Sequence, residues 1–100
     1  MKATTKSACG TSFHGTTIST TVNKLKFRLG EPHALGGDKT NYEWIMETES
    51  GDVFTAYDYK NYGGIAENEF VDFHIGGNSL SITEQAKNEI LATCVLAETY

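Results

Sequence analysis

The groups in this chain that could do chemistry are three histidines, two cysteines, one carboxylate–imidazole pair and one glycine-rich joint. His14, His33 and His74 stand in no metal-ligand spacing, and there is no Cys-x-x-Cys to bring two thiolates onto one ion. A zinc site drawing on Cys9, His14 and Cys94 would leave no signature of the usual kind, so no metal and no cofactor are expected. Nucleophile elbows and phosphate-cradling P-loops are absent from the sequence. Asp72 and His74 lie two apart on an extended stretch and so share one face, where a carboxylate could orient an imidazole for acid–base work. Polar residues on the outer face of a sheet explain the same pair more simply. Catalysis is not indicated, and a small enzyme built on Asp72 and His74 ranks third among the functional readings.

The joint is the run His74-Ile75-Gly76-Gly77-Asn78-Ser79, which leads from a strand into a helix. Free amides at a helix N-terminus attract anions, and glycines let a ligand approach the backbone closely. His74, Gly76, Gly77, Asn78 and Ser79, with Lys39 or Lys60 for charge and Tyr42, Tyr57 or Tyr59 for stacking, form a candidate site for a small phosphate-containing ligand. The plain alternative is a turn that needs glycine for its backbone angles.

Composition narrows the choices. The chain has 100 residues, 39% of them hydrophobic and 21% charged, which suits one ordinary globular domain. Its net charge of −5 argues against nucleic acid as a partner, since phosphate backbones are met by clustered Lys and Arg. No apolar run approaches the roughly 18 residues of a membrane span, and the first residues are polar. A cytoplasmic location, thiols kept reduced and no membrane partner are the expectations.

The elements that must position these groups can be read from periodicity. Residues 1–11 read as a flexible tail and 12–100 as a single domain. A first strand spans 12–19, weakened by Gly15. A helix follows over 20–29, capped by Ser19 or Thr20, with Val22, Leu25 and Leu29 as its apolar stripe and Gly30 and Pro32 as its stop. Residues 41–49 and 53–59 alternate as a hairpin. A four-residue loop at 49–52 sets Trp44 opposite Tyr57 and gathers the aromatics on one face; a three-residue loop instead sets Trp44 opposite Asp58. The four-residue loop gives the better core. Residues 70–75 make another strand, with Val71, Phe73 and Ile75 inward and Asp72 and His74 outward, ended by Gly76, Gly77 and Asn78. Ser81 and Glu84 form a capping box for the last helix, striped by Ile82, Ala86, Ile90 and Cys94. The order β-α-β-β-β-α implies a two-layer α+β domain: an antiparallel sheet of three to four strands with two helices packed on one face.

In that register the outer sheet face carries Glu43, Ile45, Glu47, Phe54 and Asp58, an apolar centre inside an acidic rim. Interfaces are built that way, and the rim suits a basic protein partner. A homo-oligomer is compatible with the same surface.

Two family resemblances arise from particular residues. Leu29-Gly30-Glu31-Pro32 followed by Trp44 is similar to the helix–LGEP–Trp repeat of β-lactamase-inhibitor-like and outer-membrane assembly lipoprotein domains. The secretion signal and lipidation cysteine of those families are missing here, so their periplasmic roles are not expected. The second pattern runs Asp38-Lys39, Tyr42-Glu43-Trp44, then Phe54-Thr55, Tyr57-Asp58-Tyr59-Lys60, then His74-Ile75-Gly76-Gly77. It resembles small uncharacterised accessory proteins of tailed bacteriophages. That resemblance implies action in the host cytoplasm, typically against host defence, by binding a protein or a nucleotide signal. The leading expectation is therefore a non-enzymatic protein that antagonises a host protein by direct binding. The alternative is a sponge that sequesters a nucleotide-type ligand at the Gly76-Gly77 joint.

Overall fold

The computed structural model describes residues 2–3, 10–32, 34–35, 41–59 and 64–99, with 2–3, 34–35 and 93–99 as backbone only. Its elements are β1 (Lys2–Ala3), β2 (Ser12–Thr20), α1 (Val22–Leu29), β3 (Ala34–Leu35), β4 (Tyr42–Glu47), β5 (Val53–Tyr57), β6 (Val71–Gly77) and α2 (Leu80–Thr99). The four longer strands lie side by side as β4-β5-β6-β2, all antiparallel, and the short β1 and β3 pair with the far edge of β4. With α1 and α2 this is the expected α+β domain in the order β-α-β-β-β-α. The segment expected to be a tail contributes β1, which pairs Lys2 with Glu47 and Ala3 with Met46.

One apolar cluster joins the sheet to both helices. Ile18, Trp44, Met46, Phe54, Ala56, Phe73 and Ile75 from the strands meet Val22, Leu25 and Leu29 of α1 and Ala86 and Ile90 of α2. Trp44 is fully buried, and its indole N–H donates to the Gly30 carbonyl at 2.8 Å, tying the end of α1 to the sheet. Both helices begin at other residues than expected. Thr21 caps α1, its hydroxyl accepting from the Lys24 amide at 3.1 Å, because Thr20 is still paired in β2 with Val71. Ser79 caps α2, its hydroxyl accepting from the Ile82 amide at 3.3 Å, so the helix starts before Ser81 and the Ser81–Glu84 box is not its cap.

The hairpin register differs from the expected one by a single step. Glu47 pairs with Val53, Trp44 with Ala56 and Glu43 with Tyr57. The cause is a clasp built on Thr48. Its amide donates to the Asp52 carbonyl at 2.8 Å, its carbonyl accepts from the Gly51 amide at 2.9 Å, and its hydroxyl accepts from the Asp52 amide at 3.2 Å. Gly51 holds φ at +86°, the left-handed value that a type I turn followed by a bulge requires. The loop is thus three residues, 49–51, placed one step earlier than the alternative that sets Trp44 opposite Asp58.

That step turns the β5 side chains over. Phe54, Ala56 and Asp58, expected on the outer face, are fully buried on the helix side. Thr55 and Tyr57 take their places on the outer face, Thr55 buried there and Tyr57 half-buried. The expected partner surface of Glu43, Ile45, Glu47, Phe54 and Asp58 therefore does not exist as drawn: Phe54 is core, and Glu47 is buried at 7% exposure. Asp58 instead accepts from the Asn41 amide at 2.7 Å, the Tyr42 amide at 2.8 Å and the Asn41 side chain at 2.8 Å, fastening the start of β4 to the end of β5.

Candidate functional site

The outer face of the sheet carries a cluster of rings centred on His74. Strand pairing lays out its middle row as Glu43, Tyr57, His74 and Thr17, one residue from each long strand. The next row is Ile45, Thr55, Gly76 and Phe13. Gly76 offers no side chain there, and the Phe13 ring stacks flat on the His74 imidazole, centroids 4.0 Å apart and planes within 15°. Tyr59 tilts against the imidazole at 5.0 Å and Tyr57 meets it edge-on at 5.5 Å. Phe13 is 43% and Tyr59 38% exposed, so the cluster opens to solvent.

A bulge in β2 makes this arrangement. Between the Phe13–Gly76 and Thr17–His74 pairs, His14, Gly15 and Thr16 stand against Ile75 alone. Gly15, at φ +93°, takes the conformation that absorbs the extra residues. The bulge leaves Phe13 and Thr17 both outside while Thr16 turns in to share a 2.8 Å hydroxyl bond with Thr83 of α2. His14 sits at the bulge, its Nε2 3.0 Å from the Gly77 carbonyl, beside an open groove of about 430 Å³ that also touches Glu84 and Lys87.

Burial among the rings lowers the pKa of His74 below the ordinary 6.5, and the negative charge of Asp72 pulls it partly back. Tyr57 is pushed above 10.0 by burial first, then by Glu43 and Tyr59. Two carboxylates thus act on the cluster, Glu43 on Tyr57 from the neighbouring strand and Asp72 on His74 from two residues along its own. Burial disfavours the protonated imidazole, and the Asp72 carboxylate offsets part of that effect.

The joint has another character. Gly76 and Gly77 do not end the strand; they are its last residues, paired with Phe13 and Ser12 on one side and Thr55 and Phe54 on the other. Packing explains both. A Cβ on Gly76 would stand 2.5 Å from the Thr55 hydroxyl oxygen, and one on Gly77 would press on Ile82 and Thr83 of α2 at 3.1 Å. Ser79 already satisfies the Ile82 amide, and Asn78 is exposed. His74 and Tyr57 come together on the sheet face, away from the helix that Gly77 touches. Lys39 and Lys60 lie outside the described residues, as do Cys9, His33 and the side chain of Cys94.

Asp72 and His74 share the outer face as expected. Among the described residues no three His, Cys, Asp or Glu side chains group to hold a metal ion. No helix among them is long and apolar enough to cross a membrane. The Tyr59 ring, a candidate from the sequence, joins the cluster, whereas Phe13 is a member that the sequence did not single out. Comparison with protein-family models, with curated proteins and with solved structures finds no match in any of the three.

Proposed function

We propose that this chain is a non-enzymatic binding protein that blocks a host protein by direct contact, using the outer sheet face around His74. The exposed ring cluster carries this reading. Rings that open to solvent beside partly buried ones, with polar groups around them, match the composition of protein interface centres, where Tyr, Phe and His supply area at little entropic cost. The flanking Glu43 and Asp72 favour a basic partner and would speed the encounter. The resemblance to phage accessory proteins supplies the host context and the cytoplasmic setting. A nucleotide sponge is less well supported, because a phosphate at this face would meet two carboxylates and the glycine joint is filled by packing.

The test is capture of a host protein from bacterial lysate by the tagged chain, compared with a Tyr59→Ala, Asp72→Asn double variant. Both positions are at the surface, so the variant should retain its circular dichroism spectrum and lose the captured band. A folded double variant that captures the same protein equally well would rule the face out.

A further inference from the structure

We infer that the ring cluster around His74 receives an arginine side chain presented by the protein partner. This rests on the docking role of the outer sheet face and names the chemistry that face selects.

Three observations converge on it. Phe13, His74 and Tyr59 form a continuous aromatic surface, with neighbouring centroids at 4.0 and 5.0 Å, and its two outer rings are exposed. A planar cation stacks on such a surface, where the electron-rich ring face attracts it. Second, carboxylates flank the rings: Glu43 is the cross-strand neighbour of Tyr57, and Asp72 lies two residues from His74 on the same face. Both are close enough to act electrostatically on the groups they adjoin. Third, burial at the centre of the cluster disfavours the protonated form of His74, the form that would repel a cation.

Arginine fits better than lysine. Its guanidinium is flat, weakly hydrated and always charged, so it can lie on a ring while its N–H groups reach a carboxylate at the edge. Lysine concentrates its charge in a strongly hydrated ammonium that gains less from stacking. A nucleobase would also stack, but its phosphate would face Glu43 and Asp72.

The experiment is an NMR titration of the isotope-labelled chain with N-acetyl-arginine amide, N-acetyl-citrulline amide and AMP. Citrulline keeps the shape of arginine and removes its charge. Contacts of one side chain bind at or above the ~1 mM scale, so the series runs to roughly 50 mM. Saturable shifts of the His74, Tyr59 and Phe13 ring signals are expected with the arginine probe, with citrulline about ten-fold weaker. Asp72→Asn should shrink that preference to about three-fold while leaving the rings in place. Equal response to arginine and citrulline, no ring shifts across the series, or preferential response to AMP would overturn the inference. If the arginine probe fails while the partner is still captured through Tyr59, the docking face stands and only the choice of side chain falls.

Discussion

The ring of Phe13 lies flat on the imidazole of His74 at 4.0 Å, although the two residues lie 61 positions apart in the chain. This stack keeps part of the imidazole from water. Phe13→Ala should uncover it and raise the pKa of His74 toward 6.5. Asp72→Asn should lower it further, because the carboxylate is what pulls it up. Chemical shifts of the His74 ring followed against pH read both changes. Equal pKa values in all three proteins would show that the stack and the carboxylate do not set it.

The same shift links folding to pH. A histidine whose folded pKa lies below the unfolded 6.5 resists a proton that the unfolded chain accepts. Stability is therefore full above pH 6.5 and declines as pH falls from there to the folded pKa. His74→Gln should flatten this part of the profile. Melting temperatures collected across mildly acidic pH, with and without the substitution, test the sign.

The hairpin register makes Phe54 a core residue. Phe54→Ser leaves a cavity and buries a hydroxyl, costing about 3–5 kcal/mol, a large share of a small domain's stability. Gly51→Val should cost about 1–2 kcal/mol by forcing a branched residue to φ +86°. Denaturant unfolding measures both. A Phe54→Ser protein as stable as the parent would place that side chain outside and restore the four-residue loop.

Asp58 is fully buried and accepts three hydrogen bonds. Asp58→Ala should cost about 3 kcal/mol, because two backbone amides lose their partner. Asp58→Asn should cost less, since one amide oxygen still accepts. Equal losses for Ala and Asn would mean that the hydrogen bonds contribute little.

Periodicity and capping chemistry made much of the fold legible. Val22, Leu25 and Leu29 repeat at helical spacing and all are buried; Val71, Phe73 and Ile75 alternate and pack inward. The register of β5 was not legible, because Val53–Tyr57 has acceptable side chains on both faces and its setting depends on one threonine hydroxyl and one positive-φ glycine. Aromatic side chains suggested that Tyr57 faces the core; the fully buried Phe54 takes that role instead. The candidate site was legible only in part. His74, Tyr57 and Tyr59 could be singled out, and Asp72 could be placed beside His74. Phe13 could not, since its partner is fixed by a bulge at Gly15 that pattern alone does not reveal. Gly76 and Gly77 looked like a ligand cradle because glycine that admits a neighbouring side chain looks the same in sequence as glycine that admits a phosphate.

The most direct test of the docking face is site-specific photo-crosslinking in bacterial lysate. A benzoylphenylalanine replaces Phe13 or Tyr59 on the outer sheet face, or Phe27 of α1 or Leu91 of α2 on the helix side, all of them exposed. The account predicts one host-protein adduct from the Phe13 and Tyr59 positions and none from Phe27 or Leu91. Adducts formed only from the helix positions would contradict it and move the interface to the opposite side of the molecule.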